Sequence, residues 1–510
     1  MDNFICPSLR QLLDEAPVKY GDRAFIKYIR DEEIVEKSFP KVRSDSLAFC
    51  RLLRDKCSPQ THIAIISKSS YEYIISLTGI IISGNIAIPV APETTAEDVA
   101  ALCKAADVSF VLYESEFSDR IDTVKAACPL IGQTLNLGNF NEFDALLDKY
   151  SDTSEYAALS DFEPNIEDCS LIIYTSGTTG ERKGVMLSQK AIVGNTMFKP
   201  YSDIVQRTDV LLSVLPLYHI FCFVSDYMGP MRHGNTICLN GSTRDLFKNL
   251  LIFKPHQMRV VPMIAQAILG RIHAVKAKNP DIDPKEAAKQ VTGGNLDMML
   301  CGGAYLDPAL SKEFDKFGIF LRQGYGMSEA GCKITVPDFD TVHGSVGRVM
   351  NIVDVRIKDN EIQVNTPCRM IGYYKMPEKT AEMFTEDGWL KTGDIGVMTE
   401  DRQLFITGRV KNLIILSNGE NVSPEAIEKK YKENLLINEV LVYAEKDMII
   451  AEIFPDADYA VKENITDINA AIEEITDKIN TTALPSHTVA KVIIRSEPLE
   501  KTATGKIKRK

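Results

Sequence analysis

Residues 62–113 alternate in kind with a regularity that few folds accept. β-Branched apolar runs at 62–67, 86–90 and 108–113 are separated by segments 71–82 and 95–106, which read as helices. Short apolar strands joined through helices make βαβ units, and such units build a parallel sheet. The pattern resumes downstream, with strand-like runs at 210–216, 258–262, 298–301 and 319–323 and helical segments at 244–253, 264–276 and 308–317. After about residue 340 the texture changes to short strands at 352–358, 361–364 and 404–407, more antiparallel in character. Beyond a junction at Gly408-Arg409-Val410-Lys411, strands are expected at 413–416, 440–443, 449–454 and 489–495 and helices at 423–432 and 466–481. Ser423 before Pro424 is an N-cap with proline at the first helical position. Residues 411–510 thus read as a small α+β domain on a hinge.

Several function classes fall away on composition. The 510-residue chain carries a net charge of −12, which argues against general nucleic-acid binding and against an anionic membrane surface. The exception is the tail, where Lys501, Lys506, Lys508, Arg509 and Lys510 cluster. The most apolar stretch, 74–90, is interrupted by Ser76, Gly79, Ser83, Gly84 and Asn85, so it reads as a buried helix and strand, with no integral membrane contact. Eleven cysteines without a C-x-x-C pair and seven histidines without metal spacing predict reduced thiols and a cytoplasmic location. Met1-Asp2-Asn3 predicts no signal peptide.

The chemistry starts at residues 174–184, where the apolar run Leu171-Ile172-Ile173 empties into Tyr174-Thr175-Ser176-Gly177-Thr178-Thr179-Gly180-Glu181-Arg182-Lys183-Gly184. Glycines let backbone N–H groups converge on an anion, hydroxyls add donors, and a lysine adds a point charge, so the loop suits a polyphosphate. The Walker A spacing is absent, which removes the usual P-loop ATPases and GTPases.

Four further segments follow. Gln323-Gly324-Tyr325-Gly326-Met327-Ser328-Glu329 offers close backbone approach, a stacking ring and, in Glu329, a hard oxygen ligand for Mg²⁺. The third glycine of a dinucleotide fingerprint falls one position late, at Gly331. In Trp389-Leu390-Lys391-Thr392-Gly393-Asp394 an aspartate at a strand end can accept both hydroxyls of a ribose. Arg409-Val410-Lys411 with Gly419-Glu420-Asn421-Val422-Ser423-Pro424, and Thr502-Ala503-Thr504-Gly505-Lys506, complete the set. Taken singly, each reads equally as a turn, a linker or a basic terminus.

Together and in this order, the five segments resemble the adenylate-forming (AMP-binding) superfamily of acyl-CoA synthetases, nonribosomal-peptide adenylation domains and firefly-type luciferases. Leu215-Pro216-Leu217-Tyr218-His219, Cys301-Gly302-Gly303-Ala304, Gly344-Ser345-Val346-Gly347-Arg348 and Gly372-Tyr373-Tyr374 extend the resemblance over most of the chain. The fold class it implies is α/β. A large N-terminal domain, residues 1–409, would hold stacked mixed and parallel sheets with helices and a β-rich subdomain. A small mobile α+β C-terminal lid, residues 410–510, would swing at Lys411. Thr175, Ser176, Gly177, Thr178, Thr179, Gly180 and Lys183 would hold the β- and γ-phosphates. Gly302, Gly303, Ala304 and Tyr325, with Gln323, Gly324, Gly326 and Met327, would line the nucleotide. Ser328 would bond the α-phosphate, Glu329 would hold Mg²⁺, and Asp394 and Arg409 would bind ribose. Lys506 would enter from the lid during adenylation, and His219 would close the acid pocket over the carboxylate.

The resemblance implies ATP, Mg²⁺ and coenzyme A as cofactors. The partners expected are a carboxylic acid and either coenzyme A or a carrier protein. Two departures stand out. Arg182 replaces the usual proline before the loop lysine, which alters loop stiffness or adds a phosphate contact. Asn418 stands where a glycine is common, in Ser417-Asn418-Gly419-Glu420.

The acyl pocket is expected between 219–224, 261–263, 299–302 and 324–327. These walls are largely apolar, with Phe221 and Phe223, and hold no aspartate or arginine to meet an amine or a second carboxylate. Asp226 is the nearest acid, read either as an amine partner or as a helix-surface charge. This pattern looks most like fatty-acyl ligases and predicts a medium- or long-chain fatty acid. The alternatives are a stand-alone enzyme loading an acyl or peptidyl carrier, and a non-catalytic nucleotide-binding homologue. Lys183, Glu329, Asp394 and Lys506 together argue against the latter, since a binder has no need of Lys506.

Overall fold

A computed structural model describes residues 4–138, 140–151, 162–176, 182–198, 209–416, 421–445, 448–484, 487–501 and 507–509. The chain divides into two compact units. The first is Met1–Val355, Val364–Leu390 and Asp401–Gln403; the second is Arg356–Gln363, Lys391–Glu400 and Leu404–Lys510.

The first unit holds two seven-stranded sheets. One runs, edge to edge, Phe320–Gln323, Met298–Cys301, Gln257–Val260, Val210–Ser213, Thr236–Leu239, Ala24–Arg30 and Glu33–Ser38. All neighbours in it are parallel except the last pair, which forms a hairpin. The other runs Gly372–Tyr373, Arg182–Ser188, Cys169–Ser176, Ile86–Val90, His62–Ile66, Phe110–Tyr113 and Gln133–Asn136. It is parallel from Cys169–Ser176 onward and antiparallel at the Arg182–Ser188 end.

The alternation at 62–113 therefore lies in the second sheet, as expected. Ile63, Ala64, Ile65 and Ile66 are all fully buried, because a parallel strand is covered on both faces. Each isoleucine contributes about 1.5–3 kcal/mol by that burial. Helix Tyr71–Ile82 is buried at all of its 12 positions. A helix apolar all round belongs in an interior. It starts at Ser70, whose hydroxyl accepts the Tyr73 N–H at 3.0 Å. Its Tyr71 ring stacks on Tyr28 of the first sheet, with centroids 5.9 Å apart. Helices Leu246–Phe253, Pro262–Lys278, Pro284–Thr292 and Pro308–Lys316 build the largely aliphatic core on the first sheet.

The second unit contains a three-stranded sheet of Ile437–Glu445, Met448–Pro455 and Val489–Ile494, covered by helices Pro424–Lys432 and Ile468–Thr481. The expected cap is present: Ser423 accepts the Ala426 N–H, with Pro424 opening the helix.

One close backbone approach fixes the loop after Phe320–Gln323. Strands Gly326–Met327 and Cys332–Lys333 form a two-stranded hairpin, and a Cβ at 326 would stand 1.7 Å from the Cys332 carbonyl oxygen. Gly326→Ala is therefore expected to cost about 1–3 kcal/mol or more through forced hairpin displacement. Thermal denaturation checks this; an unchanged midpoint would refute it.

Candidate active site

Two parallel strands of the first sheet end side by side. Met298–Cys301 pairs in register with Phe320–Gln323, Cys301 opposite Gln323. Gly324 N–H donates to the Cys301 carbonyl at 2.8 Å, and Gly302 N–H to the Val260 carbonyl at 3.1 Å. The turns 302–306 and 324–327 thus leave the carboxyl ends of neighbouring strands, where open α/β sheets bind ligands.

Gln323 pins these turns together. Its Oε1 accepts the Leu306 N–H at 2.8 Å, and its Nε2 donates to the Ala304 carbonyl at 3.0 Å. Its amide is spent on shaping the Gly302-Gly303-Ala304 turn, a positioning role that the sequence reading did not separate from nucleotide contact. Gly303 adopts φ +73°, in the region that favours glycine. Gly302 has no room for a side chain, since a Cβ would lie 2.8 Å from Cζ of Phe221. Tyr325 is anchored through its backbone: its N–H donates to Thr335 Oγ1 at 3.0 Å, and its carbonyl accepts from Ile334 and Thr335.

Glu329 and Ser328 lie on the short 3₁₀ turn Ser328–Ala330, which ends at Gly331 in the left-handed conformation. Tyr373 Oη donates to Glu329 Oε1 at 2.7 Å, and the Glu329 carbonyl accepts the Met370 N–H at 2.8 Å. Burial and the facing Glu329 carboxylate raise the Tyr373 phenol well above its ordinary pKa, so it stays a donor. Lys183 Nζ stands 5.0 Å from the centroid of the same ring. Lys183 sits opposite Thr175 in the antiparallel pair Cys169–Ser176/Arg182–Ser188, so the loop joins two strands of one sheet.

The structure thus brings Lys183, Tyr373 and Glu329 together. The sequence signals Tyr373 only through the motif Gly372-Tyr373-Tyr374. Among the described residues Lys183 Nζ has no carboxylate partner, and Glu329 has one oxygen without a hydrogen bond. A lone hard oxygen suits Mg²⁺ that is otherwise held by phosphates and water. Arg182 pairs with Asp98 at 3.1 Å.

Asp394 is a correction in detail: it sits within strand Leu390–Met398 rather than at its end. It is buried and faces Arg409 on the adjacent strand Leu404–Arg409, with Oδ1 2.8 Å from Nε. Both residues lie in the second unit, as does Lys411 on the 3₁₀ turn Val410–Asn412. Gly177, Thr178, Thr179, Gly180, Asn418, Glu420 and Lys506 lie outside the described residues, as does the Ser176 side chain. His219 caps the short helix Ile220–Cys222, its ring 4.8 Å from that of Tyr218. Desolvation lowers its pKa against a smaller opposing pull from Glu93, so the imidazole is neutral at pH 7.

Asp226 needs a second correction. Asp226 is not a helix-surface charge: it is completely buried on the π-helical turn Phe223–Met228. Ser213 Oγ donates to its Oδ2 at 3.0 Å, and its Oδ1 faces Arg259 Nε at 3.7 Å. Burial pushes its pKa up to about 7, against the pull of Arg259 and Ser213. Lys333 stands opposite Gly326 in the hairpin. The segments assigned to the pocket walls therefore run directly into charged groups. These residues lie far apart in sequence, and no motif joins them.

A family model described as AMP-binding enzyme matches residues 13–374, and one described as AMP-binding enzyme C-terminal domain matches 411–510. Among curated proteins, the chain is 27% identical over 431 residues to long-chain-fatty-acid–CoA ligase FadD15 of Mycobacterium tuberculosis, covering 74% of this chain and 70% of that protein. It is 28% identical over 477 residues to long-chain-fatty-acid–CoA ligase 5 of Rattus norvegicus, covering 81% and 70%. Among solved structures, it is similar to ATP-bound MatB from Rhodopseudomonas palustris, with TM-score 0.80, 22% identity and coverage of 98% and 97%. It is also similar to the anthranilate CoA ligase AuaEII in complex with anthranoyl-AMP, with TM-score 0.79, 18% identity and coverage of 99% and 96%. Among the described residues no helix is long and apolar enough to cross a membrane. The chain belongs to the AMP-binding enzyme family and is an adenylate-forming enzyme.

Proposed function

We propose that the chain activates a medium- or long-chain fatty acid as its acyl-adenylate and transfers the acyl group to the thiol of coenzyme A, releasing AMP and pyrophosphate. The chain is an acid–thiol ligase that uses ATP, Mg²⁺ and coenzyme A. The observation that carries the reading is the Lys183–Tyr373–Glu329 arrangement. It sets a cation without a counter-charge and a carboxylate with a free oxygen on either side of one phenol.

A carboxylate is a poor acyl donor because its oxygen leaves badly. Attack on the α-phosphate of ATP converts that oxygen into part of AMP, which leaves easily. Negative charge then gathers at the α-phosphate, where Ser328 and Lys506 would stabilise it by preorganised electrostatics. Mg²⁺ on Glu329 would supply Lewis-acid charge. Thr175, Ser176, the loop 177–180 and Lys183 would hold the departing pyrophosphate. Asp394 and Arg409 would meet the ribose. Thiol attack needs Lys506 to withdraw, so we assign residues 410–510 as a lid turning at Lys411.

The names of the curated relatives support the fatty acid and coenzyme A. Eleven unpaired cysteines support a reducing, cytoplasmic setting. A carrier-loading enzyme is the second reading, favoured by the likeness to a carboxylic acid reductase A-PCP didomain, with TM-score 0.73. Pyrophosphate release across fatty, aromatic and amino acids, followed by thioester formation with coenzyme A and with a carrier protein, separates these readings. Release with amino acids alone would refute the fatty-acid assignment.

Three substitutions probe the parts. Lys506→Ala is expected to lower acyl-adenylate formation by about 10²–10³-fold. Thioester formation from supplied acyl-adenylate should stay nearly intact, and equal loss of both half-reactions would sink the two-conformation role. Gln323→Leu removes both bonds that shape the 302–306 turn, each worth about 1 kcal/mol. KM for ATP should rise about 5–10-fold with kcat little changed; an unaltered KM counts against the positioning role. Tyr373→Phe removes the bond that orients Glu329, so the Mg²⁺ concentration for half-maximal rate should rise about tenfold or more, as loss of one charge-assisted hydrogen bond predicts. A Mg²⁺ titration indistinguishable from that of the unsubstituted protein would overturn the link.

A further inference from the structure

The charged groups behind the acyl-pocket segments call for a chemical explanation of their own. Lys333 is held firmly: its N–H donates to Asn195 Oδ1 at 3.1 Å, and its carbonyl accepts from Asn195 Nδ2 at 3.0 Å. Its Nζ lies 4.7 Å from the centroid of Phe198 and, among the described residues, bonds to no carboxylate. Burial, first of its causes, pushes the ammonium down to about 8, with Arg259 and Arg232 adding repulsion and the nearby thiols opposing. The residue nonetheless keeps partial solvent access. An ammonium on a partly accessible residue, with no carboxylate against it, is open to an incoming group of opposite charge. Its position opposite Gly326 puts the residue beside the 324–327 turn, one of the expected pocket walls.

The surroundings are short of negative charge. Arg259 and Arg232 are cations, and His233 is held neutral, its pKa pushed down to about 4 by burial and by Arg232, Lys333 and Arg259. Among the described residues the acid in this group is Asp226, whose pKa burial pushes up to about 7 and which already faces Arg259. Asp226 Oδ1 and Arg259 Nε are buried with no hydrogen-bond partner. An incoming ammonium would be repelled, so an amino-acid amine is a poor occupant. A plain alkyl end would leave the Lys333 ammonium desolvated and unmatched, which costs several kcal/mol. An anionic acceptor meets it.

We propose that the acid activated here carries a second carboxylate at the end remote from the reacting one, and that Lys333, backed by Arg259, selects it. This rests on the adenylation reading above and sharpens its substrate to an ω-carboxy straight-chain acid. The test is pyrophosphate release with saturated monocarboxylic acids of six to sixteen carbons, roughly the medium-to-long range, each against its α,ω-dicarboxylic partner. The unsubstituted protein should favour the diacid by on the order of 100-fold in kcat/KM at its best chain length. Lys333→Met should collapse that ratio by at least about tenfold, and Lys333→Arg should keep most of it. The ratio is insensitive to the fraction of protein that folds. Monoacids turned over as well as diacids at every length, or a ratio unmoved in Lys333→Met, would overturn the assignment while adenylation stands. No release from any acid would overturn the adenylation reading itself, and this inference with it.

Discussion

The parallel register of Met298–Cys301 against Phe320–Gln323 is the constraint on which the candidate site depends. It makes two chain segments turn away from the sheet at the same height, and the bond from Gly324 N–H to the Cys301 carbonyl locks them there. Once the turns are adjacent, Gln323 can reach both Ala304 and Leu306. The hairpin at 326–333 can then fold back tightly enough that only glycine fits at 326. A slip of one residue would place Gln323 on the other face and aim Ser328 and Glu329 elsewhere, since side chains alternate along a strand. The first sheet is therefore the ruler that sets where the acidic turn stands.

The second sheet delivers the opposite charge, and a tyrosine keeps the two apart. Lys183 and Glu329, in direct contact, would neutralise each other and leave little for a phosphate or a metal. Tyr373 accepts the cation on its ring face and donates its hydroxyl to the carboxylate. A cation–π contact is worth about 0.5–2 kcal/mol, and a hydrogen bond to a charged group about 1.5–3 kcal/mol. Both are strong enough to orient and weak enough to leave each charge available. The raised phenol pKa keeps the proton on Tyr373, so the spacer does not become a third charge.

What was legible in the sequence follows from the range of each interaction. Helix Tyr71–Ile82 and strands Ile86–Val90 and Met298–Cys301 match their expected bounds to the residue, because local periodicity and punctuation define them. Strand Arg182–Ser188 was not expected, since its lysine and glycine are chosen for the loop chemistry and dilute its β pattern. Helices Leu9–Tyr20 and Phe39–Lys56 are likewise not legible from periodicity, since Pro17 lies inside the first and mixed charges run through both. Motifs pointed to Glu329, Lys183 and Asp394, but not to the Tyr373 bridge or the Gln323 clamp, which form only when strands far apart in sequence meet. The Asp226–Arg259–Lys333 neighbourhood was misjudged for the same reason. Three separate segments each contribute one charge, and each segment on its own reads as apolar.

That neighbourhood is not explained by stability. A buried carboxylate and guanidinium held 3.7 Å apart are beyond hydrogen-bonding distance, so their attraction only partly offsets the desolvation of both. Replacing such a pair by apolar residues of similar volume is often neutral or stabilising. The rise of Asp226 toward neutrality records the same deficit: burial outweighs its cationic neighbours. A fold that merely needed a filled interior would use leucine at these positions, as it does on the other face of the same sheet, where Leu212, Met258 and Met299 pack. Asp226 follows the expected wall 219–224, Arg259 precedes 261–263, and Lys333 stands opposite Gly326 of 324–327, so the charges border three expected walls, and we ascribe them to the chemistry of the acid pocket rather than to core packing.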